Sequence, residues 1–491
     1  MTVPAGQREA AALCARLCDG AAPIETHISA VFVGRERALK LKKAVDLGFL
    51  DFSTVAARER FCRRELEINA PAAPELYRAV HPIARDAAGA LVLGGDGPAE
   101  DWVLEMAPLP PEAFLEAVLA RGAPEPALLD GLGDLAAALH AAAPVAPAPD
   151  VPASLRARVA ADLRSARAVR MPEAQLEQLG AALDTTIARL APALQARGEA
   201  GFVRRCHGDL HPGNIVLWRG APVAFDALEF DEAMATIDVG YDLAFLLMEL
   251  DQRVGRAAAN RVLGRTVARS GDLGLLAGLP LWLALRALVR AHIRTRLGGD
   301  GLPYLTAAED YLRPVPPRLV AVGGVQGTGK TRLARTLAPG LGAAPGALVL
   351  RSDEIRKRLA GVPPEQRLLP DSYTPERSAA VYAAFLEEAR AALRAGHSVV
   401  ADAVFLDPAL RDGMAAVARE AGVPFQGFWL EAPPAVLHAR VAGRQRDASD
   451  ADAAVLEATL RRDPGPLRWH RLDAASDPVP GALALLPPPM C

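Results

Sequence analysis

The segment Gly324-Val-Gln-Gly-Thr-Gly-Lys330-Thr331 decides the fold of the C-terminal part of this chain. It matches the P-loop pattern in full, and it stands between an apolar strand pattern at 319–323 and a helical pattern that begins at Lys330. Glycines allow the backbone N–H groups of such a loop to face phosphate oxygens at a helix N-terminus. A glycine-rich turn without a ligand is the alternative, and this context disfavours it. The predicted nucleotide-binding residues are Gly324, Gly327, Thr328, Gly329, Lys330 and Thr331.

Polar residues around this loop suit phosphate chemistry. Lys330 would reach the β- and γ-phosphates, and the Thr331 hydroxyl would hold Mg²⁺. Asp353 and Asp402 end two later strand patterns, and ligands bind at the carboxyl ends of parallel strands. We predict Asp353 as the base toward a substrate hydroxyl and Asp402 as an acidic partner of Mg²⁺. Asp353 is also a candidate N-cap of a helix that begins at Glu354, and the two roles are compatible.

Strand and helix patterns alternate through this region, which is typical of a parallel α/β sheet. The patterns predict strands at 319–323, 348–351, 398–402 and 425–430, and helices from 330 and over 376–395. A stiff proline-rich linker at 313–318 precedes the region, because proline removes donors and disfavours helix. We expect the proline-rich tail, 478–491, to be loosely packed.

Arg440, Arg444 and Arg446 have a spacing that suits a lid over the transferred phosphoryl group. A solvated basic helix is the alternative. With these motifs, residues 318–466 resemble the small P-loop kinases, which include gluconate kinase, zeta toxins, chloramphenicol phosphotransferase and phage polynucleotide kinase. The resemblance implies ATP-dependent phosphorylation of a hydroxyl group, and it fixes no substrate.

A second motif lies about a hundred residues earlier, at His207-Gly-Asp-Leu-His-Pro-Gly-Asn214-Ile-Val-Leu217. An Asp with an Asn five positions later matches the kinase catalytic-loop spacing, so Asp209 would accept the substrate hydroxyl proton and Asn214 would bind a metal. Asp226 follows a short apolar strand, where a second metal-binding carboxylate is expected. Such oxygen ligands suit Mg²⁺.

These residues make positions 25–296 resemble the aminoglycoside phosphotransferase family, which has a protein-kinase-like fold. The resemblance implies that the β-strand lysine that contacts ATP is Lys42 or Lys40, and we favour Lys42 from its distance to the Gly34 turn. It also implies Glu65 as the acidic partner of that lysine, with a solvated helix charge as the alternative. Asp242 matches the family's structural aspartate, which braces the catalytic loop.

The first third reads as a small antiparallel sheet with one helix. Strands at 28–33 and 38–42 form a hairpin pattern, a helix follows over 54–69, and a second hairpin joins 90–93 to 102–106. No G-x-G-x-x-G precedes Lys40, so the phosphate clamp of this region differs from that of protein kinases. The pairing of the two regions resembles bacterial fusion proteins that carry the segments Glu25-Thr-His-Ile-Ser29 and Gly48-Phe-Leu-Asp-Phe52.

Together these patterns predict a mixed α/β and α+β chain. A bilobal protein-kinase-like domain at 1–312 is followed by the linker 313–318, a P-loop parallel-sheet α/β domain at 319–477 and the tail 478–491. The helical pattern dominates from 112 to 312. Its uncharged part, 273–285, is too short to span a bilayer, so we expect a buried helix there.

Composition limits the partners. The net charge of −3 has both signs interspersed, which argues against a nucleic-acid or membrane partner and favours a small anionic or neutral substrate. Five scattered cysteines form no disulfide framework, and no basic segment with an apolar run opens the chain, so we expect a cytoplasmic protein. Only five of 55 basic residues are lysines. All but Lys357, which we expect to be solvated on a helix, lie near the predicted phosphate sites.

We therefore predict two kinase-like domains, each using ATP and Mg²⁺ to phosphorylate a small-molecule hydroxyl. The acceptor of either domain stays open. Two alternatives remain: one domain is a regulatory nucleotide-binding module, or the C-terminal domain phosphorylates nucleic-acid ends, which the acidic balance disfavours.

Overall fold

The computed structural model describes residues 2–48, 50–147, 150–443 and 448–486. The helices are α1 Arg8–Leu17, α2 Val55–Asn69, α3 Leu115–Ala120, α4 Pro126–Ala142, α5 Val151–Ala168, α6 Glu173–Glu199, α7 Glu232–Ala235, α8 Val239–Arg253, α9 Arg256–Ser270, α10 Leu275–Arg296, α11 Leu302–Leu312, α12 Lys330–Leu337, α13 Ser352–Leu359, α14 Pro375–Arg394, α15 Pro408–Glu420, α16 Pro434–Ala442, α17 Ala453–Leu460 and α18 Val479–Leu485. The strands are β1 Ile24–Glu25, β2 Ser29–Val33, β3 Ala38–Lys42, β4 Tyr77–Arg85, β5 Leu91–Leu93, β6 Ala99–Met106, β7 Val203–Arg205, β8 Ile215–Trp218, β9 Ala221–Ala224, β10 Thr236–Asp238, β11 Leu319–Gly324, β12 Leu348–Arg351, β13 Val399–Asp402, β14 Phe425–Glu431 and β15 His470–Asp473.

The chain divides into two compact units. The first unit comprises residues 1–124, 142–146 and 201–242, and the second comprises 125–141, 147–200 and 243–491. The second unit thus groups most of the helices between α4 and α11 with the parallel sheet. The domain limits 1–312 and 319–477 stay a prediction. The mixed α/β fold class, with a kinase-like N-terminal part and a parallel-sheet C-terminal part, is confirmed.

The main sheet of the first unit is antiparallel, in the order β1-β2-β3-β6-β4-β5. In β3, Leu39 and Leu41 pack into a core with α1, because alternate residues of a strand face opposite sides. Lys40 and Lys42 therefore share the other face. Helix α2, capped by the Thr54 hydroxyl, packs against β4 and β6. The predicted β2–β3 hairpin and the α2 helix are confirmed.

The second predicted hairpin is wrong. β4, which the sequence pattern did not predict, lies between β5 and β6 and pairs with both of them. Pro82 sits inside β4 opposite Trp102, and proline interrupts the alternating pattern by which a strand is recognised.

A short hairpin supports the kinase-like loop of the first unit. β8 and β9 are joined by Arg219 and Gly220, whose φ angles of 52° and 85° suit a two-residue hairpin turn. Asn214 directly precedes β8, and Asp226 closely follows β9. The hairpin therefore brings these two residues, twelve positions apart, to the same open end.

The second unit contains a five-stranded parallel sheet in the order β12-β13-β11-β14-β15. Val320, Val322, Leu333, Val400 and Phe428 belong to one buried cluster on it. The edge strand β15 was not predicted, since only Leu472 of its four residues is buried and it shows no apolar alternation. The P-loop follows β11 at the carboxyl edge of the sheet.

Two further expectations concern helices of this unit. Helix α18 is well formed, and its Ala482 is buried in the sheet's core cluster, so loose packing was a wrong expectation for residues 479–485. Residues 487–491 lie outside the described part of the chain. Helix α10 is long and apolar enough to cross a membrane by length and composition, but 72% of its most apolar window is buried inside the structure. It is the buried helix that the sequence predicts.

Candidate functional sites

The predicted catalytic loop holds Asp209 and Asn214 together. The Asn214 Nδ2 atom donates hydrogen bonds to the backbone oxygen of Asp209 at 3.0 Å and to its Oδ2 at 3.1 Å. The Phe225 N–H donates to the Asn214 backbone oxygen at 3.0 Å, which ties the loop to the residue before Asp226. These three predicted site residues therefore lie in one place, as the motif spacing indicates.

Two buried side chains, those of Asp242 and His207, hold the same loop by hydrogen bonds. The Gly208 N–H donates to Asp242 Oδ1 at 2.9 Å, as the family resemblance implies. His207 Nε2 donates to the Phe225 oxygen at 2.9 Å, and its Nδ1 accepts from the Asp209 N–H at 3.3 Å. Burial lowers the pKa of His207, which favours the neutral ring that can donate at one nitrogen and accept at the other.

Two lysines of β3 lie in a cluster of three carboxylates. Lys40 Nζ contacts Glu65 Oε1 at 2.7 Å and Asp226 Oδ1 at 2.5 Å. Lys42 Nζ contacts Glu65 Oε2 at 2.6 Å and Glu229 Oε1 at 2.5 Å. Glu65 thus binds both lysines from α2, and its fully buried side chain rules out the solvated helix charge.

The two lysines differ in their access to a ligand. The side chain of Lys42 is 1% exposed and is enclosed by its two carboxylates, whereas that of Lys40 is 12% exposed and touches Asp226, which is 40% exposed. Burial would lower the pKa of Lys40, but the charges of Asp226 and Glu65 raise it well above its ordinary value. Both ammonium groups are therefore charged at neutral pH.

Two residues of this cluster were not predicted. Glu229 lies three positions after Asp226 in Asp226-Ala-Leu-Glu229, so its nearness to a predicted site residue was the available signal. The hydroxyl of Tyr77 accepts a hydrogen bond of 2.9 Å from the Asp226 N–H. Tyr77 lies on the missed strand β4, and nothing in its local sequence marks it.

The C-terminal site is built on the edge of the parallel sheet. The Thr331 hydroxyl donates to Asp402 Oδ2 at 2.5 Å, and Arg351 Nε lies 3.4 Å from the same oxygen. Arg351 and Asp402 are register partners at the ends of β12 and β13. Lys330 Nζ donates to the Val325 oxygen at 3.1 Å, inside the P-loop.

Backbone geometry explains the glycines of this loop. Gly329 has a φ of 86° at the start of α12, and Gly327 has a φ of 84°. A Cβ on Gly327 would also lie 2.9 Å from the Leu437 oxygen of α16. The left-handed conformation favours glycine at both positions. Gly324 and Thr328 complete the same loop, and the Thr328 hydroxyl donates to the Val325 oxygen at 2.8 Å.

Arg440 lies at the end of α16 beside the P-loop. Its Nη1 donates to the Ala474 oxygen at 2.8 Å and lies 3.5 Å from the Gly327 oxygen. The guanidinium therefore touches the loop that is predicted to bind phosphate. Arg444 and Arg446, the other two residues of the predicted lid, lie outside the described residues.

A cavity of about 690 Å³ opens in front of the P-loop. Its lining includes Lys330, Thr331 and Asp402, together with Asp353 and two tyrosines, Tyr373 and Tyr382. Asp353 faces this cavity, as expected, but it is not an N-cap. Helix α13 begins at Ser352, with Arg351 as its N-cap.

Lys357 is buried rather than solvated, so that expectation was wrong. Its Nζ contacts both carboxylate oxygens of Asp450 at 2.7 Å and donates to the Gln366 oxygen. Asp450 also accepts from the Tyr373 hydroxyl at 2.5 Å. Asp450 and Lys357 are 93 positions apart, so the local basic run around Lys357 gave no sign of this partner.

Oxygen-rich groups at both sites fit Mg²⁺ shared with phosphates. Within the described ranges, no group of three or more His, Cys, Asp or Glu side chains suits a metal held by protein alone. Asn214 with Asp226, and Thr331 with Asp402, each offer two oxygen-bearing side chains. Mg²⁺ commonly takes one or two protein ligands and completes its shell with waters and phosphate oxygens.

Two family models match the chain. Residues 56–282 match the phosphotransferase enzyme family, and residues 319–465 match an AAA domain. The chain therefore joins a segment that matches the phosphotransferase enzyme family to a segment that matches an AAA domain, which confirms the resemblance seen in the sequence. The first match supports a phosphotransferase enzyme, and the second supports nucleotide binding by a P-loop segment.

The relatives that match include uncharacterized proteins of Mycobacterium tuberculosis and Mycobacterium bovis, each 29% identical over 469 residues and covering 92% of both chains. Choline kinase from Cryptosporidium parvum is 11% identical, over 59% of this chain and 86% of that one, with a TM-score of 0.36. The Mycobacterium tuberculosis APS kinase, solved with AMPPNP and APS, is 18% identical over 35% of this chain and 96% of that one, with a TM-score of 0.24.

Proposed function

We propose that each segment transfers the γ-phosphoryl group of ATP, bound with Mg²⁺, to a hydroxyl group of a small molecule in the cytoplasm. The observation that carries the proposal is the contact of Lys40 with both Glu65 and Asp226, beside the Asp209–Asn214 loop. This arrangement supports roles for Lys40 as the phosphate-binding cation, for Asn214 and Asp226 as metal ligands, and for Asp209 as the proton acceptor. The P-loop with the Thr331–Asp402 contact supports the same reaction class for the second segment.

At the N-terminal site, ATP supplies the phosphoryl group and Mg²⁺ neutralises charge on its phosphates. Lys40, held by Glu65, would bind phosphate oxygens, and we favour it over Lys42 because Lys42 is enclosed. Asn214 and Asp226 would hold the metal. Asp209 would orient the acceptor hydroxyl and take its proton, while Asn214 fixes the Asp209 carboxylate at 3.1 Å.

At the C-terminal site, Lys330 and the P-loop backbone would hold the β- and γ-phosphates. Thr331 and Asp402 would hold Mg²⁺, and Arg440 would lie beside the phosphates. Asp353 lines the same cavity, and it would take the proton of the acceptor hydroxyl. Phosphoryl transfer needs little covalent help, so positioning and charge account for the catalysis.

Transfer from radiolabelled ATP to small metabolites, aminoglycosides and oligonucleotide ends tests the function and separates a small-molecule kinase from an end kinase. Asp209→Ala should abolish transfer at the N-terminal site and leave nucleotide affinity nearly intact, because the change is on the acceptor side. Labelled product that persists at the wild-type rate in Asp209→Ala, with the C-terminal site blocked by Lys330→Ala, would exclude Asp209 as the base.

A second candidate function is regulatory: one segment binds nucleotide without transfer and controls the other. The grouping of helices from the phosphotransferase segment with the P-loop sheet in one compact unit favours it. Nucleotide binding at both sites with turnover at only one of them would support this reading. Turnover at both sites, each removed by its own variant, would exclude it.

A further inference from the structure

Residues 361–374 connect α13 to α14 and form one wall of the P-loop cavity, and we name them the wall loop. Arg367, Leu368 and Tyr373 of this loop line the cavity on the side of Asp353. The wall loop therefore shapes the space that an acceptor would enter. The contacts that restrain the wall loop therefore determine how rigid this space is.

The wall loop is held on its cavity side by Asp450. The Leu368 N–H donates to Asp450 Oδ2 at 3.0 Å, and the Tyr373 hydroxyl donates to the same oxygen at 2.5 Å. Lys357 binds both oxygens of Asp450 and also donates to the Gln366 backbone oxygen. Burial would raise the pKa of Asp450, but these hydrogen bonds lower it, so the carboxylate is charged.

On the opposite side, Arg265 of α9 holds the wall loop through Glu365. Arg265 Nη1 lies 2.7 Å from Glu365 Oε1, and Nη2 lies 3.2 Å from Oε2. Asp134 of α4 fixes the same guanidinium, with distances of 2.8 Å to Nε and 2.7 Å to Nη2. The side chain of Arg265 is 9% exposed. Paired bonds from a fixed guanidinium give geometric specificity as well as attraction.

Other contacts make α9 a support for this side of the P-loop segment. Asn260 Nδ2 donates to the Ala347 oxygen at 2.9 Å, directly before β12, and Arg358 of α13 donates to the Ala268 oxygen at 3.3 Å. Helix α9 lies inside residues 56–282, which match the phosphotransferase family. A helix of one family segment thus contacts the cavity wall of the other.

We propose that Arg265 is a positioning residue for the acceptor side of the P-loop cavity, acting through Glu365 on the wall loop. Glu365 is adjacent to Gln366, whose carbonyl binds Lys357, so the position of Glu365 fixes the Lys357–Asp450 contact beside it. The phosphotransferase segment therefore contributes a residue, Arg265, to the surroundings of the C-terminal site. The assignment of an acceptor to this wall rests on the proposed function, whereas the restraint on the loop does not.

Hydrogen–deuterium exchange on the full chain tests the restraint. Arg265→Gln should speed exchange of backbone amides in 361–374 by about tenfold, because the loop loses its outer contact. Arg261→Gln is the matched control. Arg261 lies one turn earlier on α9 and binds Asp130 of α4 with equivalent bidentate geometry, at 2.8 and 2.6 Å, and these bonds do not reach the wall loop. Equal exchange in the two variants would overturn the proposal.

Glu365→Ala keeps the Arg265–Asp134 pair and removes the link to the loop, so it serves if Arg265→Gln fails to fold. It should reproduce the faster exchange, Glu365→Asp should restore most of the protection, and the double variant with Arg265→Gln should add nothing further. Additive effects would show that the two residues act separately and would contradict the proposal.

Ligand measurements separate this proposal from the proposed function. Binding of AMPPNP with Mg²⁺ at the P-loop site should change less than twofold in Arg265→Gln, since the bonds of Arg265 go to Asp134 and Glu365 and not to the P-loop. In the labelled-ATP assay the KM for the acceptor should rise several-fold while the KM for ATP stays constant. If no acceptor is phosphorylated by the wild-type chain, the proposed function fails. The difference in hydrogen–deuterium exchange between Arg265→Gln and Arg261→Gln still decides whether Arg265 restrains the wall loop. A rise in the KM for ATP alone would contradict positioning of the acceptor side.

Discussion

The basic side chains of the two candidate phosphate sites have different kinds of hydrogen-bond partner. At the N-terminal site, two lysines of β3 contact three carboxylates, those of Glu65, Asp226 and Glu229. At the C-terminal site, Lys330 and Arg440 donate to backbone carbonyl oxygens, which carry no net charge. A phosphate must compete with two carboxylates for Lys40, whereas Lys330 donates to a backbone carbonyl inside the P-loop itself. We therefore expect the N-terminal site to depend more strictly on a divalent cation that links phosphate to Asp226.

The largest effect is expected for Lys42→Met. Comparison with Lys40→Met distinguishes the roles of the two lysines of the N-terminal cluster. It leaves Glu229 buried without its ammonium partner, and breaking a buried pair in this way costs about 3–5 kcal/mol. Lys40→Met should cost much less stability but should lower nucleotide affinity, because Glu65 keeps Lys42 and Asp226 is half-exposed. Urea unfolding with nucleotide calorimetry measures both. Equal losses of stability would mean that the two lysines have the same role.

Next in size is Lys330→Arg at the C-terminal site. A guanidinium keeps the charge, but it does not fit a loop in which one point charge contacts the Val325 oxygen. Loss of such an electrostatic contact costs about a hundredfold or more in rate. Arg332→Lys is the control on the same helix, since its side chain is 73% exposed. ATP turnover by the C-terminal site measures both variants, and wild-type turnover in Lys330→Arg would contradict a phosphate clamp.

Removal of Mg²⁺ compares the sites directly. Asp226→Ala, or chelation of Mg²⁺, should weaken nucleotide binding at the N-terminal site by about tenfold or more, which corresponds to about 1.4 kcal/mol. The C-terminal site should lose less affinity on chelation, because backbone N–H groups hold the phosphates there. Calorimetry with ADP, with and without EDTA, on variants that retain one site gives the two values. A larger loss at the P-loop would reverse the comparison.

The smallest effect concerns pH. Burial lowers the pKa of His397, just before β13 in the P-loop segment, to about 4. Its folded pKa lies below the unfolded value of about 6.5, so the unfolded chain binds more protons between these values. Stability is therefore full above pH 6.5 and falls as the pH decreases, by about 1 kcal/mol between pH 7 and 5.5. His397→Gln should flatten this slope in unfolding experiments, and an unchanged slope would assign it to other groups.

Local motifs determined much of this protein. The P-loop and the Asp209–Asn214 loop are each one continuous segment, 324–331 and 207–217, so the sequence located both candidate sites. The β2–β3 hairpin, α2 and the first four strands of the parallel sheet followed from apolar periodicity in the same way. A shared strand face also predicted that Lys40 and Lys42 lie together, because side chains alternate with period two.

Only the tertiary structure decided which partner each charge has. Lys40 and Lys42 are equivalent in the strand pattern. They differ because the fold brings Asp226 to Lys40 and Glu229 to Lys42, each from nearly 190 positions away. Lys357 looked solvated because Asp450 is 93 positions distant. The contact of Arg265 with Glu365 spans 100 positions. Such ion pairs leave no periodic pattern in the sequence. A basic side chain can be buried only where the fold brings a carboxylate to it, and that carboxylate is remote in the chain.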